Sequence, residues 1–138
     1  MSERSLVLVV DDDPFSRDAM EAVLEDEDCE LAFAGDGASA LDLARQRPPD
    51  LILLDYMMPG MDGPAVLRKL RADEGLAEVP VVMVTALDDR KARLEGLEAG
   101  ADDFLTKPVD ALEFRARVRT VLRLRRFRKL FEDRARFA

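Results

Sequence analysis

Short apolar runs and amphipathic segments alternate five times along the 138 residues, and this alternation restricts the chain to very few folds. Five runs have the length and apolar character of strands: 5–10, 29–34, 50–54, 79–85 and 102–106. Four segments, followed by a long helix from Asp110, have helical periodicity: 14–27, 36–47, 62–73 and 88–100. This order predicts an α/β fold in which helices cover both faces of a parallel sheet.

Apolar patterns within these segments predict which of them are buried. The run at 50–54 is apolar without interruption, so we expect it to be covered on both faces. The run at 29–34 alternates in character, which favours a strand nearer an edge. The first helix begins at Pro14, which suits the first helical position. Its predicted buried face consists of Phe15, Ala19, Ala22 and Val23.

Polar residues directly follow four of the predicted strands. They are Asp11, Asp12 and Asp13 after the first, Asp55 after the third, Thr85 after the fourth and Lys107 after the fifth. The carboxyl ends of parallel strands meet at one edge of the sheet, where ligands of α/β proteins bind. Carboxylates crowded at that edge repel one another unless a cation lies among them, and carboxylate oxygens are ligands that suit Mg²⁺.

Together these side chains have the chemistry needed to hold a phosphoryl group. A metal ion, the Lys107 ammonium and the Thr85 hydroxyl can surround its oxygens. The Asp55 carboxylate can act as the nucleophile and carry the group as an acyl phosphate. Taken one at a time, these residues could also have purely structural roles; Asp13 before Pro14, for example, is typical of a helix cap. Their shared position at one sheet edge favours the site.

The composition excludes several classes of function. The chain has no histidine, which excludes histidine-based catalysis, histidine metal ligands and phosphohistidine formation within it. The net charge of −8 argues against general affinity for nucleic acid. The single cysteine, Cys29, cannot form an internal disulfide, and no apolar run approaches the roughly 20 residues of a membrane span. The first residues also lack a secretory signal, so we expect a cytoplasmic protein with no membrane partner.

Five motifs in this order carry a resemblance to a known family: VLVVDDDP, DLILLDYMMPGMDG, VVMVTA, GADDFLTKP and VDALEFRARVRTVL. The chain resembles a bacterial response regulator receiver domain from residue 5 to about residue 122. The resemblance implies a flavodoxin-like fold, a doubly wound, five-stranded parallel sheet with strand order 2-1-3-4-5. It divides the chain into a receiver (phosphoacceptor) domain at 1–122 and a basic helical extension or linker to an effector at 123–138.

The same resemblance implies a phosphorylation-dependent switch of a two-component system, which catalyses only its own phosphorylation and dephosphorylation. Asp55 would accept the phosphoryl group from a histidine kinase or phosphotransfer protein. Asp11 and Asp12 would hold Mg²⁺, with Asp12 the more direct ligand. The Met57 carbonyl would complete the metal ligands, and Lys107 would contact the phosphoryl oxygens. Thr85 and Phe104 would form a conformational switch.

The lifetime of the acyl phosphate can also be predicted from the resemblance. In this family, the residues two positions after the phosphoacceptor and after the switch threonine flank the water that approaches the phosphorus. Here they are Met57 and Leu87, which are bulky and apolar. Neither side chain can orient a water molecule, so we expect slow self-dephosphorylation.

Resemblance to the winged-helix branch of the family implies a homodimer when the chain is phosphorylated. The charged residues that would bridge two subunits form two pairs: Arg93 with Glu113, and Asp103 with Arg117. Apolar contacts on the same face would come from Leu94 and Leu97. The alternative is that these charges pair within one subunit.

Ten basic residues lie between Arg115 and Arg136 along the last helix. The extension could be a solvated helix end, a signalling helix that leads to an effector or pairs with its copy, or, as the least favoured choice, a nucleic-acid-binding segment. No output motif is present in the 138 residues. The tail most resembles receivers attached to cyclic-di-GMP enzymes, and receivers attached to winged-helix DNA-binding domains come second.

A second class of function uses similar chemistry. Phosphatases of the haloacid dehalogenase type also place an aspartyl nucleophile on a doubly wound sheet. They carry a second aspartate two residues after the nucleophile. Met57 occupies that position here, which counts against an aspartyl-phosphate phosphatase.

Overall fold

The structure of the chain, a computed structural model, describes residues 4–86 and 90–137, with side chains as far as residue 132. Strands and helices alternate: β1 (Ser5–Val10), α1 (Pro14–Leu24), β2 (Cys29–Ala34), α2 (Gly37–Gln46), β3 (Leu51–Leu54), α3 (Gly63–Ala72), β4 (Val81–Thr85), α4 (Arg90–Ala99), β5 (Asp103–Thr106) and α5 (Ala111–Phe137). The strands form one parallel sheet in the order β2-β1-β3-β4-β5, which confirms the predicted topology. Among the described residues, no helix has the length and hydropathy needed to cross a membrane.

Two apolar cores cover the two faces of the sheet. Successive residues of β1 alternate between them, so that Leu8 and Val10 belong to one core and Val7 and Val9 to the other. As predicted, β3 is buried along its whole length and β2 lies at an edge. Close packing on both faces holds the central strands rigidly, and residues just beyond their carboxyl ends therefore have well-defined positions.

The buried face of α1 differs from the predicted one. Met20 and Leu24 pack into the core. Phe15 is 86% exposed, and Ala19 and Ala22 are exposed as well. Both sets of residues have helical spacing, but burial of Met and Leu side chains removes more apolar surface from water than burial of alanines. The predicted face is therefore wrong at Phe15, Ala19 and Ala22, whereas Val23 packs against the core as predicted. Phe15 projects beside the loop that follows β5.

Helix α5 continues past the amino edge of the sheet, which we define as Ser5, Asp50 and Glu78 near the starts of β1, β3 and β4. Four cationic side chains of the extension contact this edge. Arg125 Nη1 donates to the Glu78 carbonyl at 3.4 Å, and Arg126 Nε donates to Ser5 Oγ at 3.1 Å. Arg128 Nη1 lies 3.7 Å from a Glu78 carboxylate oxygen, and Lys129 pairs with Asp50. Its large apolar side chains are exposed: Leu124, Phe127, Leu130 and Phe131. The described part of the extension is thus fastened to the sheet by charge rather than by apolar packing.

Candidate functional site

Three carboxylates gather at the carboxyl edge of the sheet, as the sequence predicts. Asp11 and Asp12 follow β1 and Asp55 follows β3; since Val10 pairs with Leu54, the two strands end level with one another. The Asp55 amide donates to the Val10 carbonyl at 3.0 Å and so extends this pairing to the site. Each aspartate offers an oxygen within 4.8 Å of the others. Asp11 is fully buried, Asp55 is 8% exposed, and Asp12 is exposed.

Lys107 brings one ammonium group to these carboxylates. Its Nζ donates to Asp11 Oδ2 at 2.6 Å and to Asp55 Oδ2 at 3.3 Å. The Lys107 amide donates to the Thr85 carbonyl at 2.9 Å, which continues the pairing of β5 with β4 as far as the lysine. One ammonium facing three carboxylates leaves an excess of negative charge, which favours binding of a further cation.

Burial and neighbouring charges shift the pKa values of the groups in this contact. Burial raises the pKa of the Asp55 carboxyl; the Lys107 ammonium acts in the opposite direction, and the charge of Asp11 adds to the rise. Burial alone would lower the pKa of Lys107, but its hydrogen bond to Asp11 and the charges of Asp55 and Asp11 outweigh burial and raise it. Lys107 therefore stays a cation. Any further positive charge nearby would favour the ionised form of the Asp55 carboxyl.

The donor set fits Mg²⁺. Asp11, Asp12 and Asp55 supply hard oxygen ligands, and the exposure of Asp12 leaves space for the water molecules that Mg²⁺ retains. An excess of negative charge also remains after Lys107 is counted. The side chain of Met57 is 61% exposed, and coordination by its backbone carbonyl stays a prediction.

The two residues of the expected switch lie on neighbouring strands next to the carboxylates. Thr85 ends β4 and is buried. Phe104 of β5 packs against the core, and its ring lies over Gly96 of α4. Switching by these residues stays a prediction, and Leu87, which was expected to flank the attacking water, lies outside the described residues.

The residues expected to bridge two subunits lie on α4, β5 and α5. Arg117 and Asp103 form an ion pair within the chain, as the alternative to a bridge between subunits expects. Leu94 and Leu97 on α4 are 46% and 55% exposed. The other expected charged pair stays a prediction.

Two features near the carboxylates have no counterpart in the sequence analysis. The Tyr56 hydroxyl donates to the Glu95 carboxylate and joins the loop after β3 to α4. These residues are 39 positions apart, and no spacing or motif connects them. Phe15 and Pro108 line an apolar groove beside Lys107. The groove exists because Phe15 lies on the exposed face of α1 and not in the core.

Comparison with known proteins decides the family. The family model for the response regulator receiver domain matches residues 7–119. The chain belongs to the response regulator receiver family. As a receiver domain, it is a phosphorylation-dependent switch of two-component signalling. None of the matches described here supports the phosphatase alternative.

The receiver is similar to parts of longer regulators and to a solved receiver. It is 50% identical over 119 residues to the response regulator PleD of Caulobacter vibrioides, covering 86% of this chain and 26% of PleD. It is 49% identical over 120 residues to the DNA-binding response regulator MtrA of Mycolicibacterium smegmatis, covering 87% of this chain and 51% of MtrA. The solved receiver domain of the Francisella response regulator 1452 superposes with a TM-score of 0.78 at 35% identity, covering 86% of this chain and 97% of that one. The chain thus spans between about a quarter and a half of these curated relatives.

Proposed function

We propose that Asp55 is the residue phosphorylated in this switch. The observation that carries the proposal is its position at the end of the central strand β3, in reach of Lys107 and beside Asp11 and Asp12. Asp55 Oδ1 accepts from the Tyr56 amide at 2.8 Å, and Oδ2 lies next to Lys107. Asp11 is fully buried, which makes it the less accessible of the two carboxylates that contact the lysine.

Phosphorylation would form a bond between an Asp55 oxygen and phosphorus, while the bond between phosphorus and the donor's leaving group breaks. Because this chain has no histidine, a phosphohistidine donor must lie on another protein or domain, for which we propose a histidine kinase or phosphotransfer protein. Lys107 is placed to offset negative charge on the phosphoryl oxygens. Mg²⁺, held by Asp11, Asp12 and Asp55, would supply further positive charge there.

The groove beside Lys107 suits the approach of that donor. Phe15 and Ala19 of α1, with Pro108 and Val109 of the loop after β5, give the groove an apolar lining next to the reacting groups. Docking of a donor helix would bury Phe15, and buried aromatic side chains carry much of the binding energy at protein interfaces. A docking role accounts for the exposure of an aromatic residue at the first turn of α1.

Incubation with acetyl phosphate and Mg²⁺, followed by measurement of the intact mass, tests the choice of Asp55. We expect one phosphoryl group on each wild-type chain and none on Asp55→Asn. Asp50→Asn makes the same change at the amino edge and should be phosphorylated as the wild type is. Stoichiometric labelling of Asp55→Asn would show that another residue is the acceptor.

We also propose that the phosphorylated receiver forms a homodimer through α4, β5 and α5. The exposed Leu94 and Leu97 on α4 would supply its apolar contact. Because Arg117 already pairs with Asp103 within the chain, a dimer would exchange this ion pair for the same pair across a two-fold axis. Such an exchange would set the register and contribute little affinity.

Light scattering with and without beryllofluoride tests the dimer. We expect the mass to double on activation and Arg93→Glu to prevent the increase. An activated protein that stays monomeric at high concentration, or an Arg93→Glu variant that dimerises like the wild type, would exclude this interface.

We infer that residues 123–138 connect the receiver to an effector outside this chain, and that the protein acts in the cytoplasm. Helix α5 runs on through this segment, and the curated relatives are longer than the chain. The resemblance of the tail favours an enzyme of cyclic-di-GMP, with a DNA-binding domain second. Nucleic-acid binding by the tail itself is disfavoured because Arg126, Arg128 and Lys129 contact the amino edge.

A further inference from the structure

Helix α4 is connected to the phosphoacceptor by a short series of hydrogen bonds. The Tyr56 amide donates to Asp55 Oδ1 at 2.8 Å, and the hydroxyl of the same tyrosine donates to the Glu95 carboxylate on α4. Tyr56 and Glu95 are both partly buried, and the tyrosine packs against the core on the α4 side of the sheet. Partial burial strengthens a hydrogen bond to a charged group, because water competes less well for either atom.

Gly96, which follows Glu95 on α4, contacts Phe104, the aromatic residue of the predicted switch. Gly96 is buried against the ring of Phe104, and a Cβ added to this glycine would lie 2.3 Å from Phe104 Cζ. The ring therefore occupies the space that any side chain at position 96 would need. With contact this close, the ring can move towards α4 only if the helix moves away.

Adjacent residues thus attach α4 to two parts of the molecule, to the phosphoacceptor loop through Glu95 and to β5 through Gly96. A movement of Phe104 towards α4 requires the helix to shift, and such a shift would draw Glu95 away from the Tyr56 hydroxyl. The hydrogen bond stabilises only the arrangement in which it forms, so its free energy favours the resting position of α4.

We propose that the Tyr56–Glu95 hydrogen bond is a latch that holds α4 in its resting position and thereby slows phosphorylation of Asp55. The proposal rests on the proposed function, in which Asp55 is the acceptor. Tyr56 and Glu95 act as positioning residues, because neither side chain is required to touch the phosphoryl group. Loss of the latch lowers the cost of reaching the phosphorylation-competent arrangement without altering the reacting groups.

Initial rates of phosphorylation by acetyl phosphate at fixed Mg²⁺ test the latch. Tyr56→Phe removes only the hydroxyl and keeps the ring and the amide bonded to Asp55. We expect Tyr56→Phe and Glu95→Ala each to raise the rate about threefold to tenfold, which is the size of a typical intramolecular hydrogen bond's net contribution. Glu95→Gln keeps an acceptor for the hydroxyl and should stay nearer the wild-type rate. Glu98→Ala removes an exposed carboxylate from the same helix and should leave the rate unchanged.

Two further measurements separate a latch from a merely structural contact. The double variant Tyr56→Phe/Glu95→Ala should be no faster than either single variant, because both changes remove the same interaction. Amide hydrogen exchange should quicken in α4 of the single variants and stay unchanged in α2, which lies away from the contact. A structural contact alone would lower the unfolding midpoint without raising the phosphorylation rate.

An unchanged or slower rate in Tyr56→Phe, or additive effects in the double variant, would overturn the latch. Failure of the wild type to gain a phosphoryl group would instead overturn the choice of Asp55. In that case the exchange rates of α4 would still decide whether the hydrogen bond holds the helix.

Discussion

Each edge of the sheet holds a lysine against an aspartate, but the two edges differ in charge balance. At the carboxyl edge, Lys107 contacts Asp11 and Asp55 while Asp12 lies close by, so carboxylates outnumber the ammonium group three to one. The edge as a whole therefore attracts a cation. Repulsion among the three carboxylates costs free energy, and a bound cation would offset that repulsion.

At the amino edge, by contrast, each carboxylate has a cationic partner of its own within the chain. Lys129 pairs with Asp50, whose Oδ2 accepts from the Leu6 amide at 2.8 Å, and Arg128 lies near Glu78. These contacts fasten β1, β3 and the end of α5 to one another. The comparison teaches that the same residue types serve chemistry where carboxylates outnumber their cationic partners, and serve stability where each carboxylate has a partner of its own.

The largest effect should come from removing a carboxylate at the carboxyl edge. Asp12→Ala should weaken Mg²⁺ binding by about tenfold or more, since we propose Asp12 as a direct ligand. Its stability should stay the same or rise slightly, because like-charge repulsion is relieved. Calorimetric titration and urea unfolding measure the two effects, with Asp18→Ala on the exposed side of α1 as the control. Unchanged affinity, or marked destabilisation, would contradict the comparison.

A smaller effect concerns the lifetime of the acyl phosphate at the same edge. Met57→Asn introduces a group that can orient water at the phosphorus, and we expect self-dephosphorylation about fivefold faster or more. Met57→Leu keeps an apolar side chain of similar size and should retain the slow rate. Loss of label from isolated phosphoprotein gives both rates, and equal rates in the two variants would argue against control by this side chain.

The smallest effects should appear at the amino edge, in stability alone. Asp50→Ala leaves the buried Leu6 amide without its acceptor and should lower the free energy of unfolding by about 1–3 kcal/mol. Lys129→Ala removes a partly exposed ion pair and should lower it by roughly 0–1 kcal/mol. Both variants should keep the wild-type phosphorylation rate. A changed rate in folded Asp50→Ala would mean that the two edges are coupled.

The sequence predicted the α/β class and the residues at the carboxyl edge for one reason. Apolar runs that end on polar residues identify strand ends, and strand ends of a parallel sheet converge. The strand order came from the resemblance to receiver domains, since alternation alone does not determine it. Helix α1 begins at Pro14 as predicted, where the Asp13 side chain caps it, but it ends at Leu24, three residues before the predicted end.

Other features lay beyond the sequence because they depend on pairs distant along the chain. Asp50 and Leu6 are 44 residues apart, and Tyr56 and Glu95 are 39 residues apart. The buried face of α1 was mispredicted for a different reason. Its sequence contains two stripes of helical spacing, and the choice between them depends on which side chains the sheet can accommodate.

Tyr56 also gives the protein an optical property that follows from its place in the fold. It is the only tyrosine, and the chain has no tryptophan. All tyrosine emission from this chain therefore originates one residue from Asp55, the proposed phosphoacceptor, and comes from a phenol hydrogen-bonded to a carboxylate that can quench it. Addition of Mg²⁺, exchange of phosphate or movement of α4 would each change the intensity of this single fluorophore, so the unlabelled protein carries its own real-time reporter of switching.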